Sequence, residues 1–331
     1  MPCQGFTPFP WPAGDNLRLH TAPAPGAPSL RVQLEPGQWP RVWSPPEARS
    51  MGRRLQTLLQ FCAGAASVLQ QQGLHSGGFE VQLLDEDPGG ACFRFDAPVD
   101  APQHDDGGGP LIPDPYCLMS GGYAGLRQRF LNQPPPPWEK RLPVALWRGS
   151  STGFNGLCEQ NLPQNRRYQL CQWSRRLPHR LDARFTAIVQ SRDDQTRRDL
   201  QERLHQEGLL SPRIEPWDAA LHRWLIEIDG NVNSWGLLWK LLSGCCVLRV
   251  SSSRRQWYHH RLLPWIHVVP VAADLSDLEE RLAWCHANPA ACRAIAHQGQ
   301  RLAEAVVAAL GEDLMAACRA YARRWVHPDT P

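Results

Sequence analysis

The sequence predicts an α/β protein built on a mainly parallel sheet, and three observations carry that expectation. Strand-like and helix-like segments alternate through the second half of the chain. The stretch Arg223 to Val250 runs from strand through glycine turn and helix into a second strand. The chain has 331 residues, more than one ordinary domain uses, so two cores are expected.

The first residues, to about Pro46, are rich in Pro and Gly and read as a wrapping arm or a frayed start over residues 1–50. Within it the alternating Leu30, Val32 and Leu34 suit an edge strand. From Met51 to Gln72, apolar residues at Leu55, Leu58, Leu59, Cys62, Ala66 and Leu69 share one helical face, and Gly73 ends the helix. Phe79, Val81 and Leu83 then alternate into Asp85, Glu86 and Asp87, so a strand delivers carboxylates at its end. A polar loop at His104 to Pro110 follows, and Pro134 to Pro137 form a stiff run suited to a linker.

Beyond it, the apolar run Leu142 to Trp147 is a buried strand leading straight into Arg148, Gly149, Ser150, Ser151 and Thr152. Ala183 to Val189 reads as a strand and Arg197 to His205 as a helix with a polar face. Trp224, Ile226 and Ile228 lead to Asp229; Gly230 permits a tight turn, and Asn233 or Ser234 can cap a helix from Trp235 that stops at Gly244. The remainder is a strand at Ile266 to Pro270, a helix capped by Ser276 and running through His286, and helices over Pro289–Leu310 and Asp313–Val326.

Composition narrows the function. The net charge is +3, with basic and acidic residues interleaved, which argues against nucleic acid. Eleven cysteines lie scattered without a CxxC pair, which suits free thiols in a reducing compartment, with adjacent Cys245 and Cys246 as small apolar fillers. No leader pattern and no bilayer-length apolar segment stands out, so a soluble, cytoplasmic protein is expected. Fourteen Trp leave room for peripheral membrane contact, although core packing is their default role.

Two constellations carry chemistry. The first turn of a helix beginning near Trp235 leaves N–H groups to receive an anion against Asn231 to Gly236, and a nucleotide diphosphate is the natural candidate. At the end of the preceding strand, Arg148 offers a guanidinium fork, Gly149 a close approach, and Ser150 to Thr152 hydroxyl and N–H donors suited to pyrophosphate. An arginine there is equally suited to a surface ion pair. His259 and His260 would point to opposite faces of a strand with no carboxylate or cysteine at ligand spacing, so no metal is expected there.

WRGSST, then LDARFT at Leu181 to Thr186, IDGN at Ile228 to Asn231, LLSG at Leu241 to Gly244 and PWIHVVPVAADLSDL at Pro264 to Leu278, in that order, resemble glycosyltransferase family 90. That group includes capsule-associated xylosyltransferases, Rumi-like protein O-glucosyltransferases and bacterial lipopolysaccharide-modifying proteins. The similarity runs from about Pro143 to Leu302. The resemblance implies a GT-B architecture, with two Rossmann-like domains facing a cleft: acceptor side 51–137, nucleotide-sugar side 138–310, and a C-terminal helix, 311–331, packing back on the first. It implies a metal-independent, inverting transfer from a UDP-glucose-like or UDP-xylose-like donor to a glycan, glycolipid or protein hydroxyl, with no cofactor. Arg148, Gly149 and Ser150 would lie beside the diphosphate, and Asp229, Gly230, Asn231, Asn233, Ser234, Trp235 and Gly236 would wrap the donor. Glucosyltransferase members carry arginine where this chain has Gly236, and another near Gly156. Lys240, one helical turn beyond Gly236, is a substitute point charge, and Arg166 and Arg167 are others.

An inverting transfer needs a base for the acceptor hydroxyl. The family places an aspartate at the end of an early strand; Asp85 and Asp87 both have the parity for it, with Asp85 preferred. Asp114 and Tyr116 are acceptor-side candidates, the tyrosine as a stacking platform. A non-catalytic sugar or nucleotide binder on a degenerate transferase fold is the rival reading.

Overall fold

The computed structural model describes residues 18–21, 29–85, 90–100 and 108–325. In chain order the elements are β1 (Arg18–Thr21), β2 (Ser29–Leu34), β3 (Arg41–Ser44), α1 (Arg53–Gln71), β4 (Gly77–Gln82), β5 (Cys92–Phe93), β6 (Ala97–Pro98), α2 (Pro115–Met119), α3 (Ala124–Asn132), β7 (Leu142–Ser150), α4 (Arg166–Arg176) and β8 (Leu181–Ala187). They continue with α5 (Asp194–Gln206), α6 (Pro216–Ala219), β9 (His222–Glu227), α7 (Leu237–Leu242), β10 (Cys246–Val250), β11 (Arg254–Arg255), β12 (Val269–Val271), α8 (Leu278–Ala287), α9 (Pro289–Ala308) and α10 (Leu310–Trp325).

The chain divides into two compact units: residues up to 124 with 254–259 and 306 onward, and residues 125–253 with 260–305. The proline run at 134–137 falls in the second of these units. In the first unit the strand order is β1-β3-β2-β4-β5. β2 runs antiparallel to both β3 and β4, while β1/β3 and β4/β5 are parallel. The resemblance implied a Rossmann-like domain over 51–137; the sheet instead begins with residues of the expected arm and is mixed. Leu30, Val32 and Leu34, expected on an edge strand, line the central strand and are fully buried. α10 lies against α1, and its Tyr321 ring stacks on Phe93 at 4.9 Å while the hydroxyl donates to Gly78 O. Arg254 of β11 forks onto Asp96 at 2.7 Å through both nitrogens, fastening β11 beside β6.

The second unit carries the α/β sheet that the alternating pattern predicts: five strands, order β12-β10-β9-β7-β8, every pairing parallel. Its strands are apolar on both faces because helices cover both. Trp147, Phe185, Trp224, Ile226 and Leu248 pack with Leu170, Leu200, Leu282 and Ile295 on one face, and Leu146, Leu225 and Cys245 pack with Ala219, Ala220 and Trp239 on the other. From β7 the chain steps outward to β8 and then returns to place β9 on β7's other side. That reversal makes the carboxyl ends of β7 and β9 a topological switch point, where open α/β sheets form a ligand crevice. The ten described cysteines are free and buried, as their scatter predicts. Among the described residues no helix is long and apolar enough to cross a membrane.

Candidate functional site

At the switch point the two strand ends are stapled together by side chains. Arg167, in the first turn of α4, donates from Nε to Asp229 O at 2.9 Å and from Nη2 to Ile228 O at 3.2 Å. Its Nη1 donates to Ser150 O at 3.0 Å and to Thr152 Oγ1 at 2.5 Å. The guanidinium also lies over the Trp147 ring, 5.6 Å from its centroid. Burial pulls its pKa down to about 10, against the opposing pull of Glu227 and Asp229, so it stays cationic at neutral pH. A second bridge runs from Gly153 N to Asn231 Oδ1 at 2.8 Å. Asn165 holds α4 in place: Oδ1 caps the helix by accepting from Arg167 N and Tyr168 N, while Nδ2 donates to Ser151 O.

The β9 turn is internally braced. Asp229 Oδ1 accepts from Ser234 N at 3.0 Å, Gly230 N donates to Val232 O, and Gly236 N donates to Ser234 Oγ at 3.3 Å. Asn233 donates to Ser252 Oγ at 3.1 Å, tying the turn to the segment after β10. Burial raises the Asp229 pKa, with hydrogen bonds from Ser252 and Ser234 opposing it. Gly230 is required by close approach: a Cβ there would stand 2.4 Å from Thr152 Oγ1 and 3.0 Å from Arg167 Nη2.

The helix after the turn begins at Leu237, not Trp235, and its N-cap is Gly236 without a side-chain bond; Asn233 donates out of the turn to Ser252, and Ser234 accepts from Gly236 N within it. Arg148 shares the face of Leu146 and is drawn to β8, where it pairs with Asp182 at 2.6 Å and donates to Asp182 O, Trp147 O and Ser211 Oγ. Lys240 is buried and closed by the Glu227 carboxylate. The guanidinium that reaches the turn is Arg167, previously one of several substitutes. Ser150 meets it through its carbonyl, and Gly149 lies within β7, where a Cβ would stand 2.6 Å from the Trp147 ring. Trp235 is part-buried in the turn, and Asn231 is exposed. His259 and His260 lie on a single 3-10 turn, not a strand.

In the first unit, the residues singled out for the acceptor side converge on Arg54 of α1. Asp85, just past β4 and part-exposed, pairs with Arg54 at 3.5 Å. Asp114 and Tyr116 act electrostatically on the same guanidinium. Asp114 is fully buried and caps α2, its Oδ1 accepting from Tyr116 N and Cys117 N, while Oδ2 has no hydrogen-bond partner. Burial pushes its pKa up to about 7, with the two backbone bonds and Arg54 opposing. Tyr116 is 56% exposed. Asp87 lies outside the described residues.

A parallel, doubly wound domain with strand ends clamped at the switch point belongs to the open α/β class, whose ligand crevices form at that edge. The chain belongs to glycosyl transferase family 90, whose family model matches residues 128–310, more than half of the chain. It is 32% identical over 178 residues to the uncharacterized protein 179R of Invertebrate iridescent virus 6, covering 49% of this chain and 15% of that protein. It is 27% identical over 195 residues to protein O-glucosyltransferase 1 of Rattus norvegicus, covering 59% and 45%. The chain thus spans less than half the length of these curated relatives. Among solved structures, Anabaena Alr3699/HepE in complex with UDP-glucose aligns at a TM-score of 0.36 and 11% identity, over 62% of this chain and 52% of that one.

Proposed function

We propose that this chain is a glycosyltransferase that moves a sugar from a UDP-sugar to a hydroxyl of a glycan, glycolipid or protein acceptor, with inversion and without a catalytic metal. The observation that carries this reading is the stapled pair of strand ends at the β7/β9 switch point, within the family 90 segment. Relatives named protein O-glucosyltransferase support a glucose-like donor and a hydroxyl acceptor. A lipopolysaccharide-like acceptor and a cytoplasmic setting belong to the same proposal.

In this reading the turn from Asp229 to Gly236 receives the donor, and Arg167 fixes that turn and lends it positive charge. Asp85 is the base: its carboxylate takes the acceptor hydroxyl's proton as the oxygen attacks the anomeric carbon, and the nucleotide diphosphate departs from the opposite face, inverting the centre. Tyr116, exposed at the start of α2, serves the acceptor, and the fully buried Asp114 holds that segment in place as its cap. Asp85→Asn is expected to lower kcat by about 10²- to 10⁴-fold while leaving UDP affinity within twofold, measured by transfer assay and calorimetry. Unchanged kcat would remove Asp85 from the mechanism.

One observation favours the non-catalytic rival: Arg148 and Lys240, both expected at the diphosphate, are each closed by a carboxylate. Titration with UDP, GDP and their sugars, followed by donor hydrolysis, separates the two. Binding with turnover supports the transferase, and binding without any turnover supports the rival.

A further inference from the structure

Glu227 closes β9 immediately before the donor turn, and it is 3% exposed. One carboxylate oxygen, Oε2, accepts from Lys240 Nζ of α7, itself buried. The other, Oε1, has no hydrogen-bond partner. The pair lies against the turn: a Cβ built on Gly236 would stand 3.4 Å from Glu227 Oε2, 3.4 Å from Lys240 Nζ and 3.3 Å from Trp239 Nε1. The ion pair therefore lies directly beside the turn's backbone at Gly236.

A buried ion pair gains little net stability unless its remaining lone pairs are satisfied, and an ionised carboxylate oxygen is an acceptor only. Lys240 leaves Oε1 unpaired. A group that completes the pair must bring a hydrogen-bond donor and no negative charge, because the carboxylate would repel an anion. The diphosphate fails that requirement; a sugar hydroxyl meets it. We propose that Glu227 Oε1 accepts a hydrogen bond from a hydroxyl of the bound nucleotide sugar, and that Lys240 is the positioning residue that holds the carboxylate for it. The inference rests on the donor site proposed above and assigns that site a specificity-determining residue. A ribose hydroxyl and a hydroxyl of the transferred sugar share this chemistry.

Calorimetric titration of the full chain distinguishes them, using UDP, UDP-glucose, and analogues that each lack one hydroxyl of the ribose or of the hexose. One analogue should bind the wild-type protein roughly ten- to a hundredfold more weakly than its parent, and its identity names the ring that Glu227 reads. Glu227→Met leaves Lys240 uncompensated and risks misfolding, so the deciding variant is Glu227→Met with Lys240→Met, which replaces the pair by apolar chains of similar volume. This double variant should bind that analogue and its parent within twofold of each other. Wild-type discrimination that persists in the double variant overturns the role of Glu227 while leaving the donor site standing, as does the lack of any discriminated analogue in the wild type. A wild-type protein that binds neither UDP nor UDP-glucose overturns the donor site itself, and this inference with it.

Discussion

Arg167→Ala should weaken UDP binding by at least a hundredfold and lower the stability of the chain by about 3 kcal/mol. The guanidinium donates to three backbone carbonyls, Ser150 O, Asp229 O and Ile228 O, and to Thr152 Oγ1. Alanine leaves all four acceptors without that partner and removes a cation that opposes the negative charge of Glu227 and Asp229 next to the turn. Arg167→Lys keeps the charge but not the planar fork, since one ammonium cannot span both strand ends. It should recover about half of the lost stability and leave UDP binding roughly tenfold weak. Arg166→Ala, one residue earlier and exposed, is the matched control and should change neither quantity. Denaturant unfolding and calorimetric titration measure the two effects, and wild-type affinity in Arg167→Ala would refute the clamp.

How far this site could be read from the sequence follows from what each signal depends on. The strand, turn and strand at Arg223 to Val250 were legible because apolar runs and glycines act locally, and Gly244 ends α7 in a left-handed conformation, φ +67°, as expected. Arg167 was visible only as one cation among several. Its partners are mostly carbonyl oxygens, which every residue has, about sixty positions further on for Ile228 and Asp229. Arg148 had the more suggestive setting, yet its partner was decided by strand register. Leu146 lies opposite Asp182 in the β7/β8 ladder, and that brings the Asp182 carboxylate to Arg148. β2 looked like part of an arm because Pro and Gly surround it; its central place comes from pairing with β4, nearly fifty residues away. Lys240 was placed on the correct helix, but the carboxylate that captures it sits at a strand position where an alternating pattern reads Glu227 as solvent-facing.

Asp114 supplies the other large expected effect, a pH dependence of stability. Its carboxyl is wholly buried with Oδ2 unpartnered, and burial raises its pKa from 3.8 to about 7. The groups acting on it include the Arg54 guanidinium and the Tyr116 and Cys117 backbone N–H groups, all favouring the charged form without overcoming desolvation. Because the folded chain holds this proton more tightly than the unfolded chain, the stabilisation is fully present below about pH 4. It is lost as pH rises to about 7, at roughly 1.4 kcal/mol per pH unit. Asp114→Asn keeps a side-chain oxygen to cap α2 and removes the titration. The stability of the variant relative to wild type should therefore rise by about 4 kcal/mol between pH 4 and pH 8, other titrating groups cancelling in the difference. Urea unfolding of both proteins across that range measures it. A difference that stays constant with pH would mean that Asp114 is ionised throughout, and the compensating charge would then have to come from Arg54, which already pairs with Asp85.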